Sequence, residues 1–438
     1  MRAAFLTLGC KVNFYETEKM KEQFRARGFD IVEFDKEAEV YIVNTCTVTN
    51  IADRKSRQML HRAKKKNPDS LVVAVGCYAE SGGKQLLEDS AIDAVFSNRE
   101  KAEAAEKIIE TFHLHPAEKR GAGEKEPEQV SAPETDRTRA YIKIQDGCNQ
   151  FCTYCMIPYV RGRGVLSSMP EEEVMAQVEH LAGKGVHEVV LTGIHLSSYG
   201  VDFSGEKNFV RLGGRPLLEV LEKAAEVEGI ERIRLGSLEP RIITEEFLEK
   251  MVHIPKVCPH FHLSLQSGCD SVLKRMNRHY TTEEYHSRVE LLRQYFDNPA
   301  VTTDIIVGFP GETEEEFLQT REYLVRLRLA DIHVFPYSPR AGTKAADMEG
   351  QVAGEVKKSR SEILLSDTEK YRLEYGQAFL GRQEEVLFEE EAEEGGERYL
   401  IGHNERYVKI GVPLEEAREK NWRENEIHQV TVEKVMKK

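Results

Sequence analysis

The feature that most limits what this chain can fold into is a repeated handover from buried strand to cysteine. The apolar runs Ala3–Gly9, Val40–Thr45 and Leu71–Gly76 read as fully buried strands. Each is followed at once by a cysteine: Cys10, Cys46 and Cys77. Helix-like stretches over 16–27 and 52–66 separate them, which predicts a small parallel sheet with covering helices. In such a sheet the C-terminal strand ends share one edge, and ligands bind there, where strand order reverses. Three thiols far apart in sequence are therefore expected in one small volume. Unrelated core cysteines would fall mid-strand as often as at strand ends.

The other cysteines are Cys148, Cys152, Cys155, Cys258 and Cys269, eight in all in 438 residues. The opening MRAAFLTLGCKV has too short an apolar stretch for a secretory signal. No run of 18 apolar residues suggests a membrane span. A cytosolic chain is expected, with reduced thiols available for metal rather than a disulfide framework. Cys258 and Cys269 read as small buried hydrophobes.

Residues 114–137 are rich in proline, glycine and charge with no apolar period, and read as a linker after a first domain over 1–113. Strand and helix alternate again over 138–366, with strands expected at 140–145, 188–192, 232–236, 261–265, 303–308 and 331–336. Six such units predict a partial barrel of parallel strands. Short strands at 385–389, 399–402, 407–410 and 429–435 predict a small antiparallel β-barrel over 370–438. The expected class is thus α/β, with a flavodoxin-like sheet, a partial (β/α)6 barrel and a small β-barrel.

Cys148-Asn149-Gln150-Phe151-Cys152-Thr153-Tyr154-Cys155 is a CxxxCxxC motif on the loop after the first barrel strand. Parallel barrels place their chemistry at that end. Three thiolates can hold three irons of a four-iron cluster and leave the fourth open to substrate. Structural zinc would call for a second CxxC pair or nearby histidines, and neither is present in the sequence around it. The motif, with Tyr154 before its last cysteine, resembles the radical S-adenosylmethionine superfamily. The resemblance implies that Cys148, Cys152 and Cys155 hold a [4Fe–4S] cluster chelating S-adenosylmethionine, with Tyr154 near the adenine. It further implies cofactor contacts from Thr192 and Gly193, from Ser237 and Glu239, from Gln266, and from Val307 and Gly308.

The whole arrangement resembles the radical-SAM methylthiotransferases, which carry an N-terminal three-cysteine domain, the radical core and a C-terminal TRAM barrel. Thr7-Leu8-Gly9-Cys10-Lys11-Val12-Asn13, Tyr15-Glu16-Thr17-Glu18 and Arg234-Leu235-Gly236-Ser237-Leu238-Glu239-Pro240 are most similar to the branch acting on N6-threonylcarbamoyladenosine 37 of tRNA. Other branches act on isopentenyladenosine 37 or on a ribosomal protein. The resemblance implies two [4Fe–4S] clusters, the auxiliary one on Cys10, Cys46 and Cys77. It implies a 5′-deoxyadenosyl radical that removes hydrogen from adenine C2, and methylthio transfer to that carbon. An electron donor and a sulfur source are implied as partners. A non-catalytic metal-binding RNA-binding protein is the alternative of another class; it would be expected to ligate its metals fully.

A net charge of −14 argues on its face against a nucleic-acid partner. Its distribution does not. Arg54, Lys55, Arg57, Arg62, Lys64, Lys65 and Lys66 occupy a stretch with no acid, on a helix expected just past Cys46. Together with Arg161 and Arg163 they are candidate phosphate contacts for a tRNA anticodon stem-loop. The C-terminal segment from Gly376 carries ten Lys/Arg and fifteen Asp/Glu, 10 − 15 = −5. Its acid is expected in a loop around 389–397, leaving Arg406, Lys409, Arg418, Lys420 and Arg423 as a local basic face.

Overall fold

The computed structural model describes residues 1–115 and 138–437. The expected linker falls almost wholly outside these. The described residues divide into two compact units. The first takes in those of Met1–Thr135 with Tyr141–Met169 and Ser338–Ala346; the second takes in those of Asp136–Ala140, Pro170–Tyr337 and Asp347–Lys438.

In the first unit, β1 (Arg2–Thr7), β2 (Asp30–Val32), β3 (Val40–Thr45), β4 (Leu71–Gly76) and β5 (Ala94–Phe96) form one parallel sheet. Their order is β2-β1-β3-β4-β5, the flavodoxin-like order with its reversal between β1 and β3. Every residue of β3 is buried, as a central strand covered on both faces requires. Phe5, Phe24, Ile42, Val73 and Ile108 build the core on one face. Tyr41, Val43, Leu60, Val72 and Ala74 build it on the other. The covering helices are α1 (Lys11–Ala26), α2 (Asn50–Lys66), α3 (Cys77–Leu87) and α4 (Ala104–Thr111). The sequence had suggested neither β2 nor β5. Each is a three-residue edge strand, too short to show a period. After β6 (Arg139–Asp146) the chain makes the CxxxCxxC loop, then β7 (Ser167–Ser168) pairs antiparallel with the end of β6.

In the second unit, β8 (Glu188–Gly193) and β9 (Arg232–Leu235) pair in parallel. So do β10 (His260–His262), β11 (Ala300–Val307) and β12 (Asp331–Pro336). Parallel bridges Ile233–Val257 and Leu238–Leu263 join the two groups. Five strands thus follow one another in chain order, as βα units in a barrel wall do.

The helix Gly354–Gln377 is continuous, so the boundary expected near 366–370 falls inside a helix. Beyond it, β13 (Gln383–Glu394), β14 (Glu397–His403), β15 (Lys409–Pro413) and β16 (Ile427–Thr431) form an antiparallel sheet, β15-β14-β13-β16. After β16 the chain returns to the far edge: Val435 bridges Ile410, and Met436 N–H donates to the Lys409 carbonyl at 2.8 Å. This joins the two edges into a small barrel around Phe379, Val386, Phe388, Leu400 and Ile410. The acidic run is not a loop. Its residues complete β13 and the hairpin into β14.

Arg234 accounts for part of the RLGSLEP segment. It is buried, pairs with Glu188 at 2.9 Å and donates to the Glu405 carbonyl. Arg232 donates to the carbonyls of His403 and Glu385. Burial alone would raise the Glu188 carboxyl, but Arg234 and Arg139 hold it down at about 2.

Candidate functional site: two cysteine triplets

The three scattered cysteines sit where topology delivers them. Cys10 directly precedes α1, Cys46 follows β3 and Cys77 opens α3 after β4. Two of the handovers use one backbone device: Gly9 and Gly76 both have φ near +101°. At Gly76, ψ is −160°, a region essentially reserved for glycine. A Cβ on Gly9 would lie 2.9 Å from Cys46 Sγ. The backbone next to Cys10 therefore approaches the second thiol as closely as it does only because Gly9 has no side chain.

Cys10 is exposed, whereas Cys46 and Cys77 are buried. Burial pushes the Cys46 thiol up to about 11, and Cys77 and Cys10 lie near enough to add to the rise. Asn98 Nδ2 lies 3.5 Å from Cys77 Sγ. Three reduced thiols converge here on one sheet edge at the strand-order reversal, and this donor set fits an iron–sulfur cluster. Ligation would draw off the protons that burial otherwise retains.

The CxxxCxxC triplet is built differently. Cys148, Cys152 and Cys155 are half-buried on a loop. The loop leaves β6 through Gly147, whose N–H donates to Asp146 Oδ1 at 2.8 Å. Cys155 N–H donates to the Cys152 carbonyl at 3.0 Å, which makes the CxxC half a turn. Phe151 takes a left-handed φ of 47°. Thr153 is buried, and its carbonyl accepts from Ala345 N–H at 2.9 Å.

Residues 142–324 match the radical SAM superfamily, and residues 2–97 match the uncharacterized protein family UPF0004. The threonylcarbamoyladenosine tRNA methylthiotransferase MtaB of Bacillus subtilis (strain 168) is 39% identical over 416 residues, covering 93% of this chain and 89% of that one. Its namesake from Aquifex aeolicus (strain VF5) is 39% identical, covering 94% and 98%. A tRNA-2-methylthio-N(6)-dimethylallyladenosine synthase from Pelotomaculum thermopropionicum is 34% identical, covering 91% and 89%.

The chain belongs to the radical-SAM methylthiotransferase family.

The methylthiotransferase shares its fold with the radical S-adenosylmethionine methyltransferase TsrM from Kitasatospora setae (TM-score 0.53, 15% identity, 79% of this chain and 77% of that one). Its expected cofactor contacts in the second unit lie at or just past strand C-termini, as the sequence suggested. Thr192 and Gly193 end β8, exposed Ser237 and buried Glu239 follow β9, and Gln266 follows β10 in a left-handed turn (φ 76°). Glu239 is engaged with Arg241 at 2.8 Å. Val307 ends β11, and Gly308 (φ 69°) donates its N–H to Glu312, itself paired with buried Arg360 at 2.7 Å. Tyr154, on the CxxxCxxC loop of the first unit, is half-buried.

The basic helix of the methylthiotransferase is α2, capped by Thr49, whose side chain accepts from Ala52 N–H. Arg54, Lys55, Arg57, Arg62, Lys65 and Lys66 are exposed on it. Lys64 is only half-exposed and pairs with Asp93 at 3.0 Å. Arg163 is exposed. Arg161 overturns the expectation of a phosphate contact: it is 2% exposed, and its guanidinium pairs with Glu16 at 3.0 Å and Asp146 at 3.1 Å. Arg406 likewise turns to the carbonyls of Asp297 and Asn298.

Sequence reasoning did not single out Lys101, Asn98 or Lys143. Glu16 and Asn13 did stand inside the quoted opening segments, which was the available signal. A further cluster in the second unit went unnoticed: His262 and His333 flank Asp304 at 3.3 and 3.2 Å. Burial opposes its charge, but both imidazoles hold the Asp304 carboxyl below its ordinary range. Asp304 and His333 are register partners on β11 and β12, which is why the three side chains share a face.

Proposed function

We propose that this enzyme methylthiolates C2 of N6-threonylcarbamoyladenosine at position 37 of tRNA, using two [4Fe–4S] clusters. One is held by Cys148, Cys152 and Cys155, the other by Cys10, Cys46 and Cys77. The observation that carries the reading is the flavodoxin-like sheet edge that gathers three thiols in the same compact unit as the CxxxCxxC loop. Relatives named for the threonylcarbamoyl substrate, at 39% identity, support that branch.

When bound, the clusters and S-adenosylmethionine supply radical and sulfur-transfer chemistry that acid–base side chains cannot, because adenine C2–H is unactivated. The chain's own residues place and shield. The cysteines provide three ligands per cluster. Gly9 lets the backbone approach the Cys46 thiol closely, and Gly76 lets it pass close to Asn44 and Thr45. The exposed cations of α2 and Arg163 offer phosphate contacts beside the Cys46 strand end. An electron donor and a sulfur source complete the reaction as partners. Among the described residues no helix is long and apolar enough to cross a membrane.

Nucleoside mass spectrometry of tRNA from cells lacking the protein tests the reading. The 2-methylthio derivative of threonylcarbamoyladenosine disappears and its precursor accumulates. Loss of the isopentenyl derivative instead would reassign the branch.

A further inference from the structure

A buried charge network lies between the two cysteine triplets within the first unit. Lys101 is 4% exposed, with Nζ 2.6 Å from Glu16 Oε2 and 3.4 Å from Asn13 Oδ1. Arg161 reaches the same two residues, at 3.0 Å to Glu16 and 2.8 Å to Asn13 Oδ1. Lys143 bridges Glu16 and Asp146, both at 2.9 Å. Asn13 in turn donates to the carbonyls of Leu8 and Thr45, the latter one residue before Cys46. Glu16 and Asn13 lie on α1, which starts immediately after Cys10. Arg161 lies six residues past Cys155.

Among the five groups joined by these ion pairs, three cations, Lys101, Lys143 and Arg161, face two carboxylates, Glu16 and Asp146, so 3 − 2 = +1; Glu80, on the helix that Cys77 opens, accepts from Asn98 N–H at 3.2 Å. Lys101 and Arg161 both lie within electrostatic reach of Cys77. Asn98 reinforces the arrangement: its Nδ2 lies 3.5 Å from Cys77 Sγ and donates to the Val160 carbonyl at 2.8 Å, next to Arg161. Buried ion pairs contribute little net stability compared with apolar packing, so a buried +1 beside a ligand thiol calls for another explanation. Positive charge and hydrogen-bond donors next to cluster sulfurs favour the reduced, more negative state and raise the potential.

We propose that Lys101 and Arg161 are positioning residues for the auxiliary cluster: their buried positive charge sets its reduction potential, and the Glu16 carboxylate they share fixes the Cys10 helix against the segment following Cys155. This rests on the reading that Cys10, Cys46 and Cys77 hold a cluster.

The test uses the full chain carrying Cys148→Ala, Cys152→Ala and Cys155→Ala, reconstituted anaerobically so that only the auxiliary site is filled. Iron content is measured first. A chain that takes up about four irons supports the cluster reading, and one that takes up none overturns that reading and the proposal with it. A dithionite titration followed by EPR then reads the one-electron potential. Lys101→Met lowers the equilibrium constant for reduction about tenfold, a shift of about 59 mV for one electron. Arg161→Met shifts it in the same direction, Lys101→Arg restores most of the wild-type value, and Lys143→Met shifts it least. Should Lys101→Met not hold iron, Asn98→Leu gives a smaller shift of the same sign. A full iron count with an unchanged potential in Lys101→Met, or the same shift in Lys101→Arg, would refute the electrostatic role while leaving the cluster reading intact.

Discussion

The two cysteine triplets differ in what holds them. Cys10, Cys46 and Cys77 are spread over 68 residues of sequence, counting both ends, and are united by a buried parallel sheet. Cys148, Cys152 and Cys155 span eight residues of one loop and need little more than a turn. The first site rests on the core beneath it, and its two buried thiols, Cys46 and Cys77, inherit that core's low polarity. The second is half-buried and set by local backbone geometry. Damage to the sheet should therefore unmake the first site, while the second should respond mainly to changes in its own loop.

The largest effect comes from removing ligands. Replacing all three loop cysteines by alanine abolishes cleavage of S-adenosylmethionine. Replacing Cys10, Cys46 and Cys77 leaves cleavage in place but ends methylthio transfer, measured by 5′-deoxyadenosine release against methylthiolated tRNA. Either triple variant retains about four irons of about eight. Loss of cleavage from the Cys10, Cys46 and Cys77 triple as well would erase the distinction.

Thiol reactivity in the metal-free protein sharpens it. With a pKa of about 11, Cys46 is ionised at pH 8 in only about one molecule in a thousand, and the thiolate is the reactive form. Iodoacetamide should modify exposed Cys10 first and Cys46 a few hundredfold more slowly, on thiolate fraction alone, than an ordinary thiol of pKa about 8.5. Peptide mass spectrometry over a time course gives the rates. Cys46 should accelerate tenfold per pH unit up to about 11.

Backbone substitutions come next. Gly76→Ala forces a side chain into a glycine-only conformation, with its Cβ 2.6 Å from Asn44 Oδ1 and 2.7 Å from the Thr45 carbonyl. The strain costs about 1–3 kcal/mol, to which the clash adds. Gly162→Ala, at φ 76° with its closest contact at 3.7 Å, costs about 1–2 kcal/mol. Urea denaturation ranks the two. Equal losses would mean that the sheet edge is no stiffer than the loop.

The smallest effect concerns charge. Arg62→Ala, Lys65→Ala and Lys66→Ala together should weaken tRNA binding and lower the slope of log K against log salt by about 2–3. Lys64→Ala should change the slope less, because Asp93 already holds it.

Much of this was legible in the sequence, and the exceptions share a cause. Strands β3, β4 and β12 begin and end where their apolar runs do. The first-domain fold followed from apolar strands alternating with helix-like stretches, and the gathering of its thiols from cysteines at strand ends, a signal that is positional and local. Arg161 was misread because the carboxylate that claims it, Glu16, lies 145 residues away. No local pattern marks Lys101 as buried, since a lysine after a turn usually faces water. The division expected near 366–370 lies inside the helix Gly354–Gln377, whose periodicity runs unbroken past it. Long-range charge pairing leaves no trace in spacing.

The short return of the chain from Val432 to Met436 also acts against self-association. Without it, β15 would present unpaired N–H and C=O groups along an open edge, a template for strands from other molecules. Those few residues cover the β15 edge, so a chain truncated after Thr431 should form oligomers on gel filtration even where its cysteine sites remain intact.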